Sequence, residues 1–198
     1  MGVTVNKMRL IGGKGLFMLQ AEVGSAKITP AHSYPTRGQV VHDFTLRSTD
    51  GKRISLQDYR GHFSLVLIFA GDPSQVTEKK YLSELVQRYS EIREADAEVL
   101  LVLGCSRERA EATRLQAKQP FPVLTDEDLQ VHKAFGALDP RAVPAAALYV
   151  TDRFLEVFAE WRTGEGDSLP NASEVISWLD YINSQCPECT QAEWPRDD

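Results

Sequence analysis

Cysteine is scarce in this chain: three among 198 residues, at positions 105, 186 and 189. Three is too few, and an odd count, for a small secreted scaffold stapled by disulfides; a cytoplasmic thiol protein is expected instead. Positive charge is also short, with 22 Lys and Arg against 28 Asp and Glu and a net charge of −6. Binders of a nucleic-acid backbone need clustered Lys and Arg, so no nucleic-acid partner is expected. No stretch approaches the ~20 consecutive apolar residues of a membrane span. The first twenty residues, MGVTVNKMRLIGGKGLFMLQ, are broken by Lys7, Arg9 and Lys14 and lack a signal peptide's apolar block and cleavage site. Asn6 stands where a myristoylation start has Ser or Thr, and the Gly-Gly-Lys-Gly at 12–15 lacks the Lys-Ser or Lys-Thr of a phosphate loop. Residues 1–36 are therefore expected to be an extension that packs a short strand or helix onto the body.

What is present is enough for a core. Apolar residues make up 42% of the chain, which excludes a disordered polymer. A single domain of this length should bury roughly 70% of its unfolded surface.

The body alternates strand and helix. Asp43–Leu46 and Lys52–Leu56 flank a Thr-Asp-Gly turn and predict a hairpin. Phe63–Ala70 (FSLVLIFA) and Glu98–Gly104 (EVLLVLG) are nearly continuous apolar runs, the mark of central strands covered on both faces. Between them, Tyr81, Leu82, Leu85, Val86, Tyr89 and Ile92 keep the spacing of one helix through TEKKYLSELVQRYSEIREAD. A second helix is predicted over Ser106–Ala117. Phe121–Leu124 is a short stretch, and Thr125–Asp128 caps a helix that runs through Phe135. Within that segment Asp126, Glu127 and Asp128 read as helix-start charges, and His132 as a residue on an exposed helix face. Ala145–Val150 and Phe154–Glu160 predict two strands joined by a tight, hence antiparallel, turn. Asn171 caps a last helix bearing Val175, Trp178, Leu179 and Ile182 on one side. No internal repeat is visible. The order argues for one α/β sandwich with a central mixed sheet flanked by helices.

That order and a series of local strings resemble the thioredoxin-like fold, in the redoxin branch of the AhpC/TSA peroxiredoxin-like family. The strings are Val41-His-Asp-Phe-Thr-Leu46, Asp50-Gly51, Ile54-Ser-Leu-Gln-Asp-Tyr-Arg-Gly61, Ser64-Leu-Val-Leu-Ile-Phe69, Phe121-Pro-Val-Leu-Thr-Asp126, and Val143-Pro144 before Leu148-Tyr-Val-Thr-Asp152. The resemblance implies a domain over 37–184, with a tail at 185–198 carrying Cys-Pro-Glu-Cys. It also implies an oxidoreductase of the antioxidant or thiol–disulfide exchange class.

Carried across residue by residue, the resemblance reveals a missing sulfur. The thioredoxin Cys-x-x-Cys pair falls on Ser74 to Thr77. The peroxiredoxin pattern Pro-x-x-x-Thr-x-x-Cys falls on Ala70, Ser74 and Thr77. Both put a cysteine where Thr77 stands, and an alcohol at a helix start does not ionise near neutral pH. The arginine implied near 145–150 is replaced by Ala145-Ala146-Ala147, and nearby Arg141 matches no motif. Ser74 and Thr77 also suit helix capping. Val143-Pro144 is similar to the cis-proline that faces the thioredoxin cysteines.

The three cysteines remain as candidates. Cys105 ends a strand and precedes a helix start, at the carboxyl edge where ligands bind α/β sheets. Arg107, Arg109 and the helix terminus would lower its pKa; alternatively it is a small core residue. Cys186 and Cys189 could form a redox pair, hold a metal, or belong to a structural tail. Zinc would need Cys105, one of His32, His42, His62 and His132, or a second subunit to complete four ligands. No cofactor is expected. Two functions compete: a redoxin using Cys186 and Cys189 with Cys105 and a thiol reductant, or a catalytically silent module that binds a protein partner through its proline-flanked groove and tail. Trp194-Pro195 would serve either as a clamp for the tail or as an anchor for a partner.

Overall fold

The computed structural model of the protein describes residues 34–71 and 76–185, with backbone only at 76–79. Its centre is β3 (Ser64–Ala70), in which every residue is buried. Parallel to it runs β4 (Ala97–Leu103), matched in register from Ser64 opposite Ala97 to Ala70 opposite Leu103. Beyond β4 lies β5 (Val123–Thr125), also parallel. On the other side of β3 comes β6 (Ala147–Thr151), antiparallel, and then β7 (Val157–Arg162), antiparallel to β6. A hairpin of β1 (Thr45–Ser48) and β2 (Arg53–Ser55) pairs with β5 and completes the seven-stranded order β2-β1-β5-β4-β3-β6-β7. The mixed sheet and its short antiparallel end follow the expectation from connection lengths.

Because strand side chains alternate, β3 feeds two separate cores. Val66, Ile68 and Ala70 join Val99, Leu101, Leu103, Leu148 and Val150 on one face. That face is covered by α1 (Val76–Gln87), α2 (Tyr89–Glu94), α3 (Arg107–Ala117) and α5 (Ala172–Ser184), which contribute Leu82, Leu85, Ile92, Ala110, Val175, Leu179 and Ile182. Leu65, Leu67 and Phe69 face the other way, with Leu100, Val102, Ala147 and Tyr149, under Val41, Leu56, Phe135 and Leu155. Each large aliphatic side chain so enclosed contributes about 1.5–3 kcal/mol. Among the described residues no helix is long and apolar enough to cross a membrane.

Four local expectations change. The single helix after β3 is two, because Arg88 leaves helical geometry (φ −104°, ψ 12°) and its side chain binds Glu91 and Ser173. The break lets Leu82, Leu85 and Ile92 all reach the same face. The hairpin begins later than expected because Asp43 is a cap rather than a strand residue. Its carboxylate accepts from Ser55 Oγ (3.0 Å) and the Leu56 amide (3.0 Å). The helix expected through Phe135 is α4 (Gln130–Ala134), entered through Leu129 in the left-handed region (φ 58°). Finally, the described residues hold no cis peptide bond, so Val143–Pro144 is trans. The predicted cap of α5 is present: Asn171 Oδ1 accepts the Glu174 amide at 2.9 Å.

Candidate functional site

Three parallel strands end on one edge of the sheet, β3 at Ala70, β4 at Leu103 and β5 at Thr125. The start of antiparallel β6 meets the same edge, since Phe69 pairs with Ala147. Pro144, three residues before β6, therefore belongs to it. The segments leaving β3 and β4 are closely packed on this proline. A Cβ added to Gly71 would stand 3.0 Å from Pro144 Cβ, and one on Gly104 would stand 3.0 Å from Pro144 Cγ. Glycine at both positions is what allows the approach.

Of the residues singled out in the sequence, Cys105 and Pro144 meet at this edge. Cys105 directly follows Gly104, is half-buried, and packs against the helical-side core. Arg107, offered as a charge beside it, turns its guanidinium to the Thr49 carbonyl (3.2 Å), while its amide is capped by Glu127 (3.0 Å). Thr77 lies in the first turn of α1, the helix that follows β3. Ser74, Cys186, Cys189, His32 and Trp194 lie outside the described residues. Arg141 is a surface group, paired with Asp139 at 3.2 Å and 86% exposed.

The edge also holds a pair that sequence reasoning placed elsewhere. His132, expected on an exposed helix face, is completely buried, and Asp126, expected as a helix-start charge, is 1% exposed. One carboxylate oxygen, Asp126 Oδ2, accepts both the His132 amide and lies 2.7 Å from its Nδ1. On the other side of the ring, Nε2 lies 3.2 Å from the Ala70 carbonyl oxygen. That carbonyl also accepts the Gly104 amide at 2.9 Å. Burial pushes the Asp126 carboxyl up, but the hydrogen bonds from the His132 ring and amide outweigh it and hold the group below the usual carboxylate range. The signal available in sequence was position: Asp126 follows the last residue of an edge-forming parallel strand, where a side chain enters the sheet's carboxyl rim.

This arrangement removes His132 from the set of zinc ligands offered above, since both ring nitrogens face protein oxygens. His42 and His62 are exposed surface residues. Among the described residues no cluster of three His, Cys, Asp or Glu side chains is placed to hold a metal ion.

Comparison with known proteins bears on the same region. The model of the AhpC/TSA family matches residues 37–158. The chain is 28% identical over 120 residues to a chloroplastic peroxiredoxin Q of Suaeda salsa, covering 60% of this chain and 56% of that one. It is equally similar to a chloroplastic peroxiredoxin Q of Sedum lineare, with 64% of that protein covered. The chain thus spans little more than half the length of these curated relatives. Among solved structures, peroxidoxin BcpB of Mycobacterium tuberculosis superposes with a TM-score of 0.68 at 19% identity, covering 76% of this chain and all of that one. AhpC of Enterococcus faecalis superposes at 0.67 and 22% identity, over 77% and 99% of the two chains. These structural likenesses establish a peroxiredoxin-type thioredoxin fold.

Proposed function

Because the chain belongs to the AhpC/TSA family, we propose that it is a peroxiredoxin-like redox protein of the antioxidant class whose thiol chemistry has left the family's usual position. The observation that carries this reading is the carboxyl edge itself. The first turn of α1 holds Thr77 and no cysteine, while Cys105 stands half-buried at the end of the neighbouring strand. In the family register Ser74 and Thr77 are the degenerate remnants of the usual site, and Pro144 is the counterpart of the family's proline.

The reacting dithiol is Cys186 and Cys189. One thiolate attacks the outer oxygen of a peroxide, the O–O bond breaks, and an alcohol or water leaves with a proton while the sulfur becomes a sulfenic acid. The second thiol attacks that sulfur, water leaves, and a disulfide forms. A thiol reductant then supplies two electrons and two protons to restore the pair, with Cys105 able to exchange into the disulfide. No cofactor enters this cycle.

The test is peroxide consumption by the full chain with dithiothreitol as reductant, alongside mass-spectrometric mapping of all three cysteines after mild peroxide treatment. Turnover that is lost in Cys186→Ser, with an oxidised 186–189 pair in the native chain, is the expected result. Three inert thiols and no turnover above that of dithiothreitol would overturn it and leave only a role in binding a protein partner.

A further inference from the structure

We propose that the groove along the outer side of α5 is the seat of the chain's own tail, with Trp194-Pro195 docked against Arg37, Trp178 and Tyr181. The seating does not depend on what the thiols of the tail do.

The reasoning begins with the two sides of α5. Val175, Leu179 and Ile182 are buried in the core. Asn171, Glu174, Ser177, Trp178 and Tyr181 recur three and four residues apart on the other side and, with Ser173 and Arg37, line an open groove of about 540 Å³. That volume falls within the roughly 300–1,000 Å³ of clefts that take a ligand.

The floor of the groove is aromatic. Trp178 packs partly on the core and meets Tyr181 edge-on at 5.8 Å. Tyr181 in turn meets Phe158 at 6.3 Å, yet is 46% exposed. Rings held by their neighbours but open on one side offer a large apolar contact at little further cost in entropy. The rim is cationic. Among the described residues the Arg37 guanidinium stands over the Trp178 ring at 5.3 Å and pairs with no carboxylate.

The occupant follows from reach, charge and tethering. α5 ends at Ser184, Gln185 is already extended (φ −77°, ψ 147°), and Pro187 cannot continue the helix. Trp194, outside the described residues, is nine positions beyond Gln185 and can lie up to about 30 Å from it. Trp178 is seven positions before Gln185, roughly 10 Å back along the helix axis. A chain that turns back can therefore bring Trp194 to the groove with length to spare. Residues 186–198 carry Glu188, Glu193, Asp197 and Asp198 against one base, Arg196. Glu193-Trp-Pro-Arg-Asp197 thus offers a ring for the aromatic floor, carboxylates on both sides of it for Arg37, and a guanidinium for Glu174. So short a tether gives the tail an effective concentration in the millimolar range, which a second copy of the chain or a free acidic peptide must exceed to displace it.

The seating also places the start of the tail. Asn183 Nδ2 ties the end of α5 to the Ala95 carbonyl (2.9 Å), just before β4, whereas Cys105 follows the other end of that strand. The loop that carries Cys186 and Cys189 back to the groove therefore starts at the edge of the sheet opposite Cys105.

The test uses the full chain labelled with 13C and 15N. Nuclear Overhauser contacts of the Trp194 ring are recorded in the labelled protein and again, isotope-filtered, in an equal mixture of labelled and unlabelled chains. The expected result is contact from Trp194 to Trp178 and Tyr181 within one chain and none between chains. The peptide TQAEWPRDD, residues 190–198, added to Trp194→Ala should shift the Trp178 indole and Tyr181 signals of that variant. Adding Arg37→Glu to the same background should weaken peptide binding about fivefold or more, since an ion pair and the stacked guanidinium are lost together. Peptide binding unchanged by Arg37→Glu overturns the seat as drawn. In the native chain alone, whether or not either variant folds, three results overturn the proposal: a Trp194 ring with no contact to Trp178 or Tyr181, another segment of the chain against those rings in its place, or contacts found only between chains, which would make the groove a surface for a second copy.

Discussion

Gly104 and Leu129 approach so closely that a Cβ on the glycine would stand 2.7 Å from Leu129 Cδ2. The same added carbon would meet Pro144 Cγ at 3.0 Å and His132 Nε2 at 3.3 Å. Leu129 is the flexible end of a side chain and can yield, but Pro144 and the buried ring cannot move without disturbing β3. Gly104→Ala is therefore expected to destabilise the fold by about 1–3 kcal/mol, the usual cost of overpacking. Adding Leu129→Ala should recover only part of that loss. Urea unfolding of the single and double variants measures both; a neutral Gly104→Ala would mean that the edge has room the geometry denies.

Acid should weaken the fold through Asp126. Its carboxyl sits below the usual range in the folded chain, so its contribution is complete above the unfolded-state value of about 3.9 and is lost as pH falls through the lower folded value. Asp126→Asn should flatten this acid limb of stability against pH. At neutral pH the same variant should cost about 3–5 kcal/mol, as expected when one member of a buried pair is removed. Denaturant midpoints between about pH 3 and about pH 7 give both numbers.

The start of α5 offers an independent measurement. Asn171 Oδ1 accepts the Glu174 amide at 2.9 Å, and Glu84 Oε1, reaching from α1, accepts the Ala172 amide at 3.1 Å. Two of the four amides orphaned at a helix start are thus met by side chains from different parts of the chain. Asn171→Ala should cost about 1 kcal/mol. Glu84→Ala should cost a similar amount and also loosen α1 from α5. Because both act on one helix start, the double variant should depart from additivity, which a thermodynamic cycle by chemical unfolding reads directly.

Much of this architecture was legible locally. β3 and β4 could be read from Leu65–Phe69 and Val99–Leu103, because strands buried on both faces leave no polar phase to confuse the period. The Asn171 cap was visible for the same local reason. Arg88 was not, since nothing in an unbroken helical spacing marks where tertiary packing bends it. The Asp126–His132 pair was hidden more deeply. The five residues between them carry charges that suit a solvated helix start, and the ring's other partner, Ala70, lies 62 residues away. Only the convergence of β3, β4 and β5 brings that carbonyl to the ring. Thr77 could be singled out from the motif register of the resemblance and Cys105 from its place at a strand end, whereas the tail cysteines have no such anchor in the pattern.

Asp152 should behave in the opposite sense to Asp126. Its carboxyl organises the connection from β6 to β7, with Oδ1 accepting the amides of Phe154 (2.8 Å) and Glu156 (2.9 Å). Burial nevertheless pushes it above the usual carboxylate range, against those hydrogen bonds and the nearby Arg153. Glu156 is raised as well, by burial and by the charge on Asp152. For a carboxyl raised in the folded state, ionisation works against the fold, so its penalty is present at neutral pH and disappears as pH falls through the folded value. Asparagine keeps the carbonyl oxygen that holds both amides and removes the charge. Asp152→Asn should therefore stabilise the protein at neutral pH by less than about 1.4 kcal/mol, the equivalent of one pKa unit. The gain should shrink towards zero near pH 3.9, roughly where ordinary carboxyls are half protonated. Asp152→Ala loses both acceptor contacts and should instead destabilise at every pH. Thermal melts of the three proteins at the two pH values separate charge from hydrogen bonding: an asparagine variant no more stable than the native chain at neutral pH would show that the amides of Phe154 and Glu156 need the charge as well as the oxygen.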